Sequence, residues 1–126
     1  MTDKQQTVLI VEDEVEAAEL FAEMMRVNGF RTLKSYGSAA AIDLLVTELP
    51  DLVILDIMMP DISGLEVLRF MRREPNFKDT PVIIVSAKSM PADIKVGMEA
   101  GASMYLTKPV GYLELKQAVE RLTAHA

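Results

Sequence analysis

The chain has 126 residues, half of them hydrophobic, with 13 Lys and Arg against 19 Asp and Glu and a formal net charge of −6. That length suits a single domain with its own core, and the absence of Cys excludes disulfide staples and thiolate metal sites. The acidic balance argues against direct nucleic-acid binding or attraction to anionic lipid, and the apolar runs are strand length, far short of a membrane span.

Met1 to Gln6 is polar and lacks the apolar region of a signal peptide, so the expectation is a cytoplasmic protein with a flexible start over residues 1–6. Thr7-Val-Leu-Ile-Val11 reads as a buried strand that stops at three successive carboxylates, Glu12-Asp13-Glu14. The helix after it carries Val15, Ala18, Ala22 and Met25 at helical spacing, and Asn28-Gly29 ends it. Asp13 could cap that helix, with Glu16 three residues on. Capping does not explain why Glu12 stands beside Asp13, where mutual repulsion calls for a cation. Arg31 to Tyr36 alternates polar and apolar residues, as a strand nearer the sheet edge does. Ser38 is placed to cap a helix from Ala39 to Glu48, which stops before Pro50, and Asp51 reads as a turn residue.

Leu52-Val-Ile-Leu55 is an unbroken apolar run that ends at Asp56. Such a run fits a strand buried on both faces of a parallel sheet, with Asp56 at its carboxyl end. Pro60 and Gly64 then turn the chain away. A third helix spans Gly64 to Arg73, with Leu65, Leu68 and Met71 or Arg72 marking one side. After the polar loop 74–81, Pro81 to Ser86 repeats the buried-strand pattern. Pro91 suits the first turn of a fourth helix that ends near Gly101. Met104 to Thr107 is a short fifth strand ending at Lys108-Pro109. The last helix has Leu115, Ala118, Val119 and Leu122 on one face; residues 124–126 are expected to fray, and His125 has no assigned role.

Five strands alternating with five helices imply an α/β domain with a parallel sheet and helices on both faces. All carboxyl strand ends then lie on one edge. Strand one brings Glu12 and Asp13 there, strand three Asp56, strand four Ser86 and strand five Lys108, while the second strand brings no hydrophilic group. Three crowded carboxylates suit a hard divalent cation, Mg²⁺ with Mn²⁺ as substitute. Asp56 can attack phosphorus and form an aspartyl phosphate. Lys108 supplies a fixed positive charge for the phosphoryl oxygens, and Ser86 a hydroxyl.

Val11-Glu12-Asp13, Asp56-Ile-Met-Met-Pro60-Asp-Ile-Ser-Gly64, Ser86-Ala87, Gly101-Ala102 and Tyr105-Leu-Thr-Lys108-Pro109 together resemble the response-regulator receiver domains of bacterial two-component signalling, over nearly the whole chain. The resemblance implies a single receiver domain over 1–126, with a flavodoxin-like three-layer (βα)5 fold and strand order 2-1-3-4-5. It implies that Asp56 takes a phosphoryl group from a sensor histidine kinase or phosphotransfer protein. It makes Asp13 and Asp56 metal ligands, with the backbone carbonyl of Met58 completing them and Glu12 acting through water. Ser86 and Tyr105 become the switch pair: Ser86 moves to the phosphoryl group and Tyr105 rotates into the space vacated. The Lys108-Pro109 bond is expected to be cis.

The chain departs from the charge-laced receivers at Ala102-Ser103-Met104, before Tyr105. That leaves a more apolar face on helix four, strand five and helix five, with Met98, Met104 and Tyr112 as candidates for a homodimer or an unknown downstream target. Met58 should overhang the site and shield it from hydrolytic water, giving a long-lived phosphorylated state. The rival readings are a phosphatase with an aspartate nucleophile and a receiver-like interaction module that works without phosphorylation. The first wants a second Asp where Met58 stands. The second usually shows as loss of the acidic pair, the acceptor or the lysine, all of which are present. A turnover enzyme is therefore not the expectation.

Overall fold

The computed structural model describes residues 5–123. The strands are β1 (Thr7–Val11), β2 (Arg31–Ser35), β3 (Leu52–Leu55), β4 (Val82–Ser86) and β5 (Met104–Thr107). The helices are α1 (Val15–Val27), α2 (Ser38–Glu48), α3 (Gly64–Arg73), α4 (Pro91–Glu99) and α5 (Tyr112–Thr123). The strands pair in parallel in the order β2-β1-β3-β4-β5, the flavodoxin-like order. No helix among the described residues is long and apolar enough to cross a membrane.

The hydrophobic pattern explains the layering. Every residue of β1, β3 and β4 is buried, because helices cover both faces of these strands. One core packs Val8, Ile10, Ile54 and Ile83 under Phe21 and Met25 of α1 and Leu115 and Val119 of α5. The other packs Leu9, Val53, Leu55 and Ile84 under Leu45 of α2 and Leu68 and Met71 of α3. Fully burying each such side chain contributes about 1.5–3 kcal/mol against the entropy of ordering the chain. Helix α4 is the exception, since only Gly97 of it is buried.

Several local expectations need correction. Gln6 is tied down, its carbonyl accepting from Arg31 N–H at 2.9 Å, and Gln5 bonds to the Gly29 carbonyl at 3.2 Å. The rest of the expected flexible start, and the frayed end at 124–126, lie outside the described residues. Strand β2 does not alternate: Arg31 is exposed, Thr32 to Lys34 are half-buried and Ser35 is buried, as suits an edge strand crowded by α1 and α2. Ser38 is not a cap but the first helical residue. The α2 N-terminus is capped by Asp61, whose carboxylate accepts from Ser38 N–H and Ala39 N–H, each at 3.1 Å. On α3, Val67 joins Leu68 and Met71 in the core, whereas Leu65 is half-buried. Asp51 does more than turn the chain: it accepts from Thr7 N–H at 2.7 Å and donates its own N–H to Thr7 O at 2.8 Å, clamping the starts of β1 and β3.

Candidate functional site

Register places the site. Val11 pairs with Leu55, and Ser86 with Thr107, so the residues that follow these strands emerge together at the carboxyl edge of the sheet. Carboxylate oxygens of Glu12, Asp13 and Asp56 all lie within 4.8 Å of one another. Glu12 and Asp56 are buried, at 1% and 7% exposure, and Asp13 is half-buried. Two apolar strands cannot end in buried carboxylates without counter-charge. Lys108 provides it: its ammonium donates to Glu12 Oε1 at 2.7 Å and to Asp56 Oδ2 at 3.0 Å.

The remaining lone pairs are used unequally. Glu12 Oε2 accepts from Glu14 N–H at 3.1 Å, and Asp56 Oδ1 accepts from Met58 N–H at 2.9 Å. Among the described residues no protein donor reaches the Asp13 carboxylate. The capping role open to Asp13 is therefore not taken; Glu14 is the N-cap of α1, and its N–H goes to Glu12. Burial holds Glu12 above the usual carboxylate range, outweighing the hydrogen bonds from Lys108 and Glu14. Burial also opposes the charge on Lys108, yet its pKa is raised, because the two carboxylates more than offset it. One lysine against three carboxylates leaves the cluster with surplus negative charge. Oxygen donors only, crowded and partly water-facing, fit a hard divalent cation.

Backbone packing holds Asp56 in place. Its N–H donates to Val11 O at 2.9 Å. Gly64 opens α3 directly against it: a Cβ there would lie 2.4 Å from the Asp56 carbonyl oxygen. Ser63 caps α3, accepting from Leu65 N–H at 3.2 Å. An open groove of about 530 Å³ leads in, lined by Asp13, Met58, Met59, Pro60, Leu65 and Lys88 among others, with Met58 half exposed at 49%.

The other expected residues lie around this centre. Ser86 is fully buried; its hydroxyl accepts from Lys88 N–H at 3.2 Å rather than capping α4. Tyr105 is half-buried on β5, and its hydroxyl donates to the Lys88 carbonyl at 2.7 Å. Burial raises the pKa of that hydroxyl, with the Ser86 hydroxyl acting the other way. The Lys108-Pro109 bond is cis. Strand β2 also ends in a buried hydrophilic group, contrary to expectation: Ser35, whose hydroxyl donates to the Gly37 carbonyl at 2.6 Å. Sequence reading took Gly64 only as a chain breaker and missed both its close approach to Asp56 and the capping role of Asp61; the only signal was their place in the Pro60–Gly64 turn.

The family model of the response regulator receiver domain matches residues 8–120. The phosphate regulon transcriptional regulatory protein PhoB of Klebsiella pneumoniae is 35% identical over 108 residues, covering 86% of this chain and 47% of that protein, so the chain spans about half that relative's length. The polar-differentiation response regulator DivK of Brucella anthropi is 33% identical over 104 residues, covering 82% of this chain and 85% of DivK. The receiver domain of the Francisella response regulator 1452 superposes with a TM-score of 0.86 at 30% identity, covering 94% of this chain and 96% of that one. The chain belongs to the response-regulator receiver domains, the phosphorylation-activated signalling modules of two-component systems.

Proposed function

We propose that Asp56 is the phosphoacceptor and that the chain works in the cytoplasm as a single receiver, charged by a sensor histidine kinase or a phosphotransfer protein. The observation that carries this is the pairing of one half-buried lysine with two of three clustered carboxylates. An Asp56 oxygen attacks the donor's phosphorus; the new P–O bond forms as the bond from phosphorus to the donor breaks, and the donor leaves. Attack by a carboxylate oxygen requires no base. Its Oδ1 stays fixed by Met58 N–H while Oδ2 is free to react once Lys108 swings to the incoming phosphoryl oxygens. Asp13 and Asp56, with the Met58 carbonyl, would hold Mg²⁺, and Glu12 would act through water. Bound there, the ion supplies charge neutralisation for carboxylates and phosphoryl group alike. Mn²⁺ has the same oxygen preference and could stand in.

On phosphorylation the Ser86 hydroxyl would leave Lys88 N–H for a phosphoryl oxygen. Tyr105 then follows, altering the face formed by α4, β5 and α5. That face exposes Met98 and Tyr112, with Met104 half-buried, which suits an apolar partner or a second copy. Met58 lines the mouth and offers its side chain no group to orient water, so the adduct should persist after the donor is removed.

The test is intact mass after incubation with acetyl phosphate and Mg²⁺, beside Asp56→Asn. The expected result is one phosphoryl adduct in the parent, none in the variant and none with EDTA, with slow decay once donor is removed. An adduct of equal yield on Asp56→Asn would sink the assignment.

A further inference from the structure

Helix α4 touches the rest of the molecule at few points, and its one buried residue is Gly97. Glycine is a poor choice for a helix interior, because it surrenders the most backbone freedom there. No left-handed backbone calls for it at this position, unlike Gly29 and Gly101 with φ of 90° and 116°. The reason lies beneath the helix. A Cβ at position 97 would stand 2.9 Å from Ile84 Cδ1 and 2.9 Å from both Cδ2 and Cε2 of Tyr105. These are well inside van der Waals contact.

The two neighbours differ in their freedom to yield. Ile84 is fully buried on β4, between β3 and β5. Tyr105 stands half-buried on the edge strand β5, tethered through its hydroxyl to the Lys88 carbonyl at 2.7 Å. An atom added at position 97 would therefore push the tyrosine outward and take its hydroxyl off that carbonyl. Lys88 also donates its N–H to the Ser86 hydroxyl at 3.2 Å, so one residue joins the buried serine to the tyrosine. We propose that Gly97 is a positioning residue of the switch: its missing side chain seats Tyr105 beneath α4 and sets how strongly that helix senses the state of Asp56. This rests on the reading of Ser86 and Tyr105 as the switch pair.

The test compares Gly97→Ala, Tyr105→Ala and the double variant. Three quantities are read: the nuclear Overhauser contact between the Tyr105 ring and the Ile84 methyl, the titration of the Tyr105 hydroxyl, and beryllofluoride affinity with Mg²⁺. Gly97→Ala should lose the ring contact and titrate its tyrosine at lower pH. It should bind beryllofluoride roughly fivefold or more weakly, as a coupling of ordinary size dictates. On the Tyr105→Ala background, Gly97→Ala should change beryllofluoride affinity no further, because the new methyl occupies the space the ring leaves. An unchanged ring contact in Gly97→Ala overturns the proposal. So does an equal loss of affinity on both backgrounds, which would place the effect in Ile84 or α4 itself. If Gly97→Ala does not fold, the double variant decides: parent-like stability supports the seating role, and failure to fold overturns it. If Tyr105→Ala binds beryllofluoride as the parent does while Gly97→Ala still frees the ring, the switch reading of Tyr105 has failed, and the switching half of the proposal fails with it.

Discussion

The two edges of the sheet both hold charged side chains, and they do it in opposite ways. Where the strands begin, Arg72 reaches from the end of α3 and donates to four carbonyls: Gly101 at 3.0 Å, Phe77 at 3.0 Å, Lys78 at 3.1 Å and Thr80 at 2.8 Å. Asp51 accepts from Thr7 N–H at the same edge. Here charged groups meet backbone dipoles, and each is satisfied in place. Where the strands end, charges meet charges: one lysine faces two buried carboxylates, and a third carboxylate has no donor among the described residues. The first edge is finished and the second is left with chemical capacity. A fold can thus hold charge for stability at one end of its strands and for reactivity at the other.

The sharpest test removes Arg72. Arg72→Met keeps most of the stem and deletes the donors, stranding carbonyls from the α3–β4 loop and the α4–β5 turn. The expected cost is about 1–3 kcal/mol in urea unfolding, the range for buried polar groups left unpaired, with acetyl-phosphate labelling of Asp56 unchanged. A loss of labelling at unaltered stability would erase the distinction between the edges. At the other edge the sign should invert. Asp13→Asn relieves repulsion among carboxylates within 4.8 Å of one another and should stabilise the protein by on the order of 1 kcal/mol in the absence of divalent cations. Added Mg²⁺ should narrow that gap, since it stabilises the parent more than the variant. If Asp13→Asn proves destabilising without metal, the cluster is not repulsive and the comparison breaks.

The distribution of what was legible in the sequence follows from range. Strand and helix order came from hydrophobic period and from breakers such as Asn28-Gly29 and Pro91, which are local signals. The site came from strand ends, because parallel topology brings Asp13, Asp56 and Lys108 to one edge whatever the loops do. Contacts between loops left no such trace. Arg72 read as a marker of a helix face, yet its guanidinium serves carbonyls up to 29 residues away. Gly97 gave no signal in a helix of weak amphipathicity; its role exists only with the Tyr105 ring beneath it. Ser38 looked like a cap because the residue type and position fit. The acceptor that does the work, Asp61, lies 23 residues further on.

Asp61 also qualifies the comparison, since it is a finished charge at the reactive edge, and it carries the smallest effect. Backbone N–H groups of Ala39 and Ser38 at the α2 N-terminus, with further help from Ile62 N–H, lower its pKa from 3.8 to about 2. The folded state therefore prefers the ionised form. Its contribution is fully present above the unfolded value, and it is lost as pH falls through the folded one, a window from about pH 4 down to about pH 2. Asp61→Asn keeps an acceptor and discards the charge. The variant should be slightly less stable than the parent at neutral pH, and the two urea midpoints should converge across that acid window. Phosphoryl labelling should be equal in the two proteins, because Asp61 ties the β3–α3 loop to α2 and touches none of Glu12, Asp13, Asp56 or Lys108. A difference between the midpoints that stays constant down to pH 2 would mean that Asp61 acts through shape rather than charge.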